Sequence, residues 1–157
     1  MKAILLSLSF FGMADTALAT VHTVSNDPAT VAQFSNLQTA IDAAASGDTI
    51  FIHGSPVSYP SFNLTDKRLA IIGPGFAPDK ELTATVRIAG GFIRNTAATG
   101  SASGTELSGL VFTTILRIAD AFGGSEAVNN VLIHRCQFNS TINIGYRTRT
   151  NARRHTN

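Results

Sequence analysis

The sequence predicts an all-β protein whose short strands wind into a parallel β-helix, a solenoid covered at its N-terminal end by one short helix. Three observations predict this fold class: brief apolar segments separated by turn residues, a single amphipathic helical segment, and an internal repeat at a spacing of 26 residues. With 157 residues the chain is long enough for one domain.

The helical segment lies at residues 35–48, SNLQTAIDAAASGD. Leu37, Ile41 and Ala44 fall on one face of a helix, Ser35 is suited to cap its N-terminus, and Gly47 is a natural residue just after its C-terminus. The spacing predicts one short helix over about 36–46. Because it has a single apolar stripe, this helix must lie against another part of the protein.

The segments that follow are short, apolar and separated by Gly, Asn, Asp, Ser or Pro, as is typical of strands. No second helical segment separates them, which argues against alternating β-α-β units. The predicted strand segments are IFIH (50–53), FNLT (62–65), LAIIG (69–73), VRIAG (86–90), ELSGLVF (106–112), ILRI (115–118), VLIHRCQF (131–138) and TINIG (141–145).

The internal repeat predicts how these strands stack. When residues 107–118 are placed on residues 133–144, the apolar positions coincide: Leu107 with Ile133, Leu110 with Cys136, Phe112 with Phe138, Leu116 with Ile142, and Ile118 with Ile144. The positions between them differ freely, as where Arg117 meets Asn143. This is typical of solenoid coils, in which inward side chains stack on one another. Each coil should hold three strands in 22–26 residues, with Cys136 near a corner and Ile72 stacked on Ile50.

Three segments together resemble a known family: AIDAAASGDTIFIHG, LTDKRLAIIGPGF and GTELSGLVF. Residues 35–145 are similar to the N-terminal portion of the right-handed parallel β-helix, or pectin lyase-like, proteins. The resemblance implies a capping helix over the first coil and further coils below it. It implies no particular reaction, because the superfamily includes polysaccharide lyases, glycoside hydrolases, adhesins and passive surface proteins.

The first 19 residues are predicted to be a secretory signal peptide. Lys2 precedes the apolar run from Ala3 to Met13, which is too short to span a bilayer, and Ala17 and Ala19 fit the positions that a signal peptidase requires. The alternative is a buried N-terminal helix. Cleavage after Ala19 predicts a secreted or cell-surface protein, periplasmic or extracellular, with no stable membrane insertion.

The last residues, 146–157, read YRTRTNARRHTN and are predicted to be a disordered basic tail. The coil pattern stops at Gly145, and the tail has no Val, Leu, Ile or Phe with which to cover the last coil. We therefore expect the solenoid to be incomplete at its C-terminus, through truncation or a frame shift, and to self-associate through this open end. A natural basic terminus is the alternative.

The charge of residues 20–145 argues against a nucleic-acid-binding protein, and the single cysteine argues against a disulfide-stabilised one. Residues 20–145 carry seven Lys or Arg and nine Asp or Glu, a net charge of −2, so the folded part has no basic surface typical of nucleic-acid binding. The arginine tail alone is weak support for a nucleic-acid partner. Cys136 is the only cysteine, so no internal disulfide can form, and the thiol is expected to be buried.

No catalytic constellation is predicted. Glycoside hydrolysis needs two carboxyl groups across the sugar bond, and no two acids lie together at outward strand positions. Asp120 and Glu126 bracket a loop and form the one pair that could approach. The acids considered are the nine of residues 20–145: Asp27, Asp42, Asp48, Asp66, Asp79, Glu81, Glu106, Asp120 and Glu126.

A lyase of this superfamily uses an arginine base and Asp-bound calcium, as the resemblance implies. The candidate arginines, Arg87, Arg117 and Arg135, are assigned to strands, where an outward arginine needs no functional reason. None has a carboxylate cluster in register to hold calcium. His53 and His134 are outward residues on different coils without a third metal ligand.

Two asparagine features have structural explanations. Asn129 and Asn130 precede a strand, where asparagine suits a left-handed bend. The triplets that begin at Asn63 and Asn139 match the N-glycosylation pattern, which is common by chance.

We therefore predict no catalytic, cofactor-binding or metal-ligating residues and no cofactor. The expected function is a secreted β-helix scaffold or a surface segment that binds polysaccharide. The alternative is the N-terminal part of a polysaccharide lyase or glycoside hydrolase whose active coils lie beyond residue 157.

Overall fold

A computed structural model describes residues 18–75, 85–96, 100–118 and 127–145. The predicted signal peptide as far as residue 17, the predicted tail at 146–157, and the acids at 79, 81, 120 and 126 lie outside these residues. The elements in the described ranges are β1 (Val21–Val24), α1 (Leu37–Ala43), β2 (Thr49–Ile52), β3 (Phe62–Thr65), β4 (Ala70–Ile72), β5 (Arg87–Ile88), β6 (Gly91–Arg94), β7 (Glu106–Ser108), β8 (Val111–Phe112), β9 (Leu116–Ile118), β10 (Leu132–His134), β11 (Gln137–Phe138) and β12 (Ile142–Ile144).

The strands form three parallel sheets that run side by side along a solenoid. Their strand orders are β1-β2-β4-β7-β10, β5-β8-β11, and β3-β6-β9-β12. One coil contributes one strand to each sheet, so the later coils are β4–β6, β7–β9 and β10–β12. In the coil that begins with β2, Tyr59 makes a single bridge to Ile88 in place of a strand. The predicted all-β solenoid with one short helix is confirmed.

The predicted 26-residue register is also confirmed. Leu107 pairs with Ile133, Leu116 with Ile142, and Ile118 with Ile144. Phe112 pairs with Phe138, and their rings stack with centroids 5.1 Å apart and planes 5° from parallel.

The predicted stacking of Ile72 on Ile50 is wrong by one residue. Ile50 pairs with Ile71, and both are fully buried, whereas Ile72 pairs with Phe51 on the outer face. Successive strand residues face opposite sides of a sheet, so a shift of one residue moves an inward side chain outward.

Two strands, β1 and β6, were missed by the sequence pattern. In β6, glycine occupies an inward position: Gly91 pairs with Phe62, and a Cβ on Gly91 would lie 2.7 Å from atoms of the Phe62 ring. The phenylalanine ring therefore fills space that a side chain would need. Because the strand begins with this glycine, its alternation of apolar residues is hard to detect.

The helix is shorter than predicted, and different residues end it. Asn36, and not Ser35, caps the N-terminus, because its side-chain oxygen accepts hydrogen bonds from the N–H groups of Gln38 and Thr39. Helical geometry ends at Ala43, since Ala44 has an extended backbone. Gly47, with a φ of 102°, lies in the turn before β2 and is not the C-terminal cap.

A lysine from the next coil donates hydrogen bonds to the backbone carbonyl groups at the end of this helix. Lys67 Nζ donates to the carbonyl oxygens of Ile41, Asp42 and Ala44 at 2.7–2.9 Å. A cation at a helix C-terminus also opposes the negative end of the helix dipole. Helix α1 contacts β1, β2 and β3 and buries Leu37, Ala40 and Ile41, so it covers the N-terminal end of the solenoid.

The core is a stack of inward aliphatic and aromatic side chains, and these side chains are less buried in the last described coil. Leu116 is fully buried in β9, whereas Ile142 and Ile144 at the equivalent inward side of β12 are 36% and 52% exposed. Cys136 lies between β10 and β11, near the predicted corner. It is only half-buried, and this burial raises the pKa of its thiol. None of the helices in the described ranges is long and apolar enough to cross a membrane.

Candidate functional site

The outer surface of the four-stranded sheet brings polar, aromatic and cationic side chains together. We name it the arginine–phenylalanine face and define it by the outward residues Asn63, Thr65, Phe92, Arg94, Arg117 and Asn143. Strand alternation places them outside, because their neighbours along the strands, Leu64, Ile93 and Ile118, are buried in the core.

A continuous row crosses all four strands of this face. Asn63 pairs with Phe92, Phe92 with Arg117, and Arg117 with Asn143. Because neighbouring strands are about 4.8 Å apart, paired side chains on one face lie within contact range of the same bound molecule. The row therefore runs parallel to the solenoid axis and not along a single strand.

Arg94 is fixed over the aromatic ring of the row. Its guanidinium carbon lies 5.4 Å from the centroid of Phe92, within the range of a cation–π contact. Its Nε donates a hydrogen bond of 3.0 Å to Thr65 Oγ1. These two contacts hold the guanidinium beside the ring and leave its terminal nitrogens as further donors.

The ends of the row are open to solvent. Arg117, Asn63 and Asn143 are exposed, and Phe92 is half-buried. Gln38 of α1 borders the face, because its side chain accepts from the Asn63 N–H at 2.7 Å and donates to the Asn63 carbonyl at 3.0 Å. The capping helix thus fixes one edge of the face.

The charge on this face has one sign. Among the outward positions of β3, β6, β9 and β12 there are two arginines and no acid. A guanidinium presents paired donors that match a carboxylate or sulfate group, the asparagine amides can bond to hydroxyl groups, and the ring offers an apolar surface for packing. This arrangement suits a polar, anionic and extended ligand.

The three candidate arginines of a lyase are not brought together. Arg87 lies on the three-stranded sheet and donates to the Pro56 carbonyl at 2.6 Å. Arg135 was assigned to a strand, but it lies in the bend between β10 and β11, with a φ of 54°. Arg117 alone belongs to the arginine–phenylalanine face.

The histidines and remaining acids form separate local pairs. His134 Nε2 lies 2.8 Å from Glu106 Oε1 on the outer surface, and His53 packs edge-to-face on Phe51. Asp66 bonds to the N–H and hydroxyl groups of Thr96. No group of three or more potential metal ligands occurs within the described residues.

Asp48 belongs to the first coil. Its carboxylate accepts hydrogen bonds from the N–H groups of Thr20 and Ala45, and it lies 3.0 Å from His22 Nε2. The Thr20 bond, followed by the His22 contact, lowers the pKa of Asp48 below its ordinary value of 3.8.

The left-handed backbone predicted before β10 is confirmed at Asn130, whose φ is 55°.

Sequence reasoning missed Phe92 and Arg94, although it noted Asn63 and placed Arg117 opposite Asn143. The missing signal is the segment GFIR, residues 91–94, whose outward positions are aromatic and cationic. Its alternation could have been found by aligning it with LRI, residues 116–118, in the next coil.

The fold and this face define the class of protein as a parallel β-solenoid with one capped end and an outward row of polar, aromatic and cationic side chains. No protein-family model, curated protein or solved structure matches the chain.

Proposed function

We propose that this chain is a non-catalytic, secreted scaffold of the pectin lyase-like superfamily that binds an acidic polysaccharide on the arginine–phenylalanine face. The observation that carries the proposal is the row Asn63–Phe92–Arg117–Asn143, with Arg94 placed over Phe92. The three sequence segments that resemble the superfamily support its membership, and the signal-like residues 1–19 support export.

The ligand class follows from the chemistry of the row. Uronate and sulfate groups on a polysaccharide pair with guanidinium groups, while sugar hydroxyls bond to the amides of Asn63 and Asn143. The Phe92 ring would pack against the apolar face of a sugar. Because the row extends across four strands, it fits an extended polymer better than a compact small molecule.

Binding assays with pectate and alginate, compared with a neutral polysaccharide such as dextran, test this function. We expect the acidic polymers to bind and the neutral one to bind at least about tenfold more weakly. The affinity should fall as salt rises, because exposed charges are screened. Equal binding of dextran, or no binding of any polymer, would reject the proposal.

Two variants locate the site. Arg117→Gln and Arg94→Gln should each weaken pectate binding by about tenfold, since each removes a charged hydrogen-bond donor. Arg87→Gln is the matched control, because that exposed arginine lies on a different sheet. An Arg87→Gln variant that lost as much affinity would indicate attraction by net charge and not by this face.

The absence of catalysis is tested in the same mixtures. We expect no unsaturated or reducing ends to form when the purified chain is incubated with pectate or alginate. Release of either product would favour the alternative function, a polysaccharide lyase or glycoside hydrolase.

A further inference from the structure

The carboxylate of Asp48 is buried where three segments of the first coil meet. Only 6% of the residue is exposed. Thr20 N donates to its Oδ1 at 2.8 Å, and Ala45 N donates to its Oδ2 at 2.8 Å. Asp48 therefore joins the segment before β1 to the segment after α1. A buried carboxylate costs free energy unless hydrogen bonds and positive charge compensate it.

Positive charge around Asp48 is limited. Its one ion-pair partner in the described part of the chain is His22, which is charged only when protonated. Arg68 lines the same cavity of about 240 Å³, together with Leu18, Ala19, Thr20 and residues 45–48, but it forms no ion pair with Asp48 there. At neutral pH the two bonded backbone donors, Thr20 and Ala45, are uncharged amides.

Thr20 is also the residue that would follow the predicted cleavage site. The 1–19 segment ends at Ala19 with the small residues that a signal peptidase requires. Ala19 and Thr20 are exposed, and Leu18 is 87% exposed, so the bond between Ala19 and Thr20 is accessible on the surface. The same nitrogen atom is therefore both the expected new N-terminus and a hydrogen-bond donor to the buried carboxylate.

We propose that cleavage between Ala19 and Thr20 completes the first coil by converting the Thr20–Asp48 hydrogen bond into an ion pair. A signal peptidase would add water across the peptide bond, leaving a carboxylate on Ala19 and an amine on Thr20. An α-amino group has an ordinary pKa of about 8, so the amine takes up a proton and is an ammonium group at neutral pH. This inference rests on the proposed export.

The charge should strengthen a contact that already has good geometry. Hydrogen bonds between an ionised donor and a carboxylate are about twice as strong as neutral ones. We expect the unfolding equilibrium constant of the chain that begins at Thr20 to be about tenfold smaller than that of the same chain with a neutral terminus. The mature protein would then be more stable than its precursor without any change in backbone path.

Three forms of the protein isolate the charge. The first begins at Thr20 with a free amine, the second is the same chain acetylated on that nitrogen, and the third retains Leu18 and Ala19. Acetylation keeps the N–H donor and removes the charge. At pH 6, denaturant unfolding should give the free-amine form an unfolding equilibrium constant about tenfold smaller than that of either other form. Equal stability of the first two forms would overturn the proposal.

Asp48→Asn supplies the control. In this variant the free-amine and acetylated chains should agree within about twofold, because the carboxylate that pairs with the ammonium is absent. A tenfold difference that persisted in Asp48→Asn would assign the effect to another group, such as His22, and would also overturn the proposal.

The pH dependence gives a measurement that needs no variant. An amine that gains a carboxylate partner has a raised pKa in the folded state, so its added stability is present below about pH 8 and is lost as pH rises through the folded pKa. His22 and Arg68 also face the site, and both are present in each of the two chains. A ratio of unfolding constants that stayed constant from pH 6 to about pH 11 would contradict the ion pair.

Failure of this inference is distinguishable from failure of the proposed function. If the exported protein begins at another residue, the ion pair does not form in the cell, yet binding of pectate to the arginine–phenylalanine face is unaffected. If pectate does not bind, the comparison of free and acetylated Thr20 still stands.

Discussion

Phe112 and Phe138 show how single side chains join neighbouring coils. They occupy the same inward position on β8 and β11, and their rings stack face to face. Phe112 is fully buried, whereas Phe138 is half-buried because no described coil lies beyond it. The contribution of each ring to stability should therefore follow its position in the stack.

We predict that Phe112→Ala lowers the free energy of unfolding by about 3–5 kcal/mol, the usual cost of removing a buried phenylalanine. Phe138→Ala should cost less, because its ring is already partly in water. Asn143→Ala, at an exposed outward position, should change the free energy by less than about 0.5 kcal/mol. Urea unfolding measures all three. Equal losses for Phe112→Ala and Asn143→Ala would show that the inward register is wrong.

Asp48 gives a prediction about acid stability. Its pKa is lowered in the folded protein, first by the Thr20 N–H and then by His22, so the stability that it contributes is present above its ordinary pKa of 3.8. That contribution is lost as pH falls through the lower, folded pKa. The difference in unfolding free energy between wild type and Asp48→Asn should shrink as pH falls below 3.8 toward the lower, folded pKa. A difference independent of pH would argue against an ionised Asp48.

At the scale of elements, α1 depends on a residue from the next coil. Lys67 donates to three carbonyl groups near the end of a helix of only 7 residues. So short a helix is not stable by itself in water. Packing and this long-range cap must therefore hold it on the end of the solenoid.

We expect Lys67→Met to destabilise the protein by about 1–2 kcal/mol, because it keeps most of the aliphatic stem but removes the charged donor. Amide hydrogen exchange should accelerate in α1 before it does in β7 to β9. Arg117→Met, which removes an exposed cation elsewhere, is the matched control. If both variants left exchange in α1 unchanged, Lys67 would have no capping role.

The elements also show what sequence could and could not predict. Stacking of β7–β9 on β10–β12 was predictable because both coils keep the same spacing between inward apolar residues. Strand β6 was not, because its inward Gly91 hides the pattern. The C-terminal end of α1 was not predictable either, since Lys67, which bonds to its last carbonyl groups, is distant from them in sequence.

The arginine–phenylalanine face could be predicted only in part. Arg117 facing Asn143 followed from the 26-residue repeat. Placing Asn63 and Phe92 in the same row depends on coils of unequal length, and a single repeat spacing does not determine their register. Without that register, Arg94 and Phe92 cannot be related to Arg117.

At the scale of the whole molecule, export remains a prediction with a direct test. The mature protein should begin at Thr20, because the small-residue positions end at Ala19. N-terminal sequencing of material secreted by an expression host would establish the first residue. Secreted protein that retained Met1 would contradict the signal peptide.

The exposed inward residues of the last described coil predict self-association. The inward residues Ile142 and Ile144 are 36% and 52% exposed. We expect sedimentation measurements to show reversible association as concentration rises. Ile144→Lys should weaken it at least about tenfold, whereas Val57→Lys, at a loop residue 61% exposed, should not. A monomer at every concentration would contradict this.

The helix over the first coil limits how far such association can proceed. A particle with two adhesive ends grows into a filament, but α1 covers the core at the N-terminal end, so association through Ile142 and Ile144 would use the other end alone. We therefore expect two molecules to meet tail to tail around a two-fold axis. The measured mass should level off at twice that of one chain. Such a pair would carry two arginine–phenylalanine faces. It should bind a long polymer more tightly than one molecule does, provided that both faces can contact the same polymer chain at once.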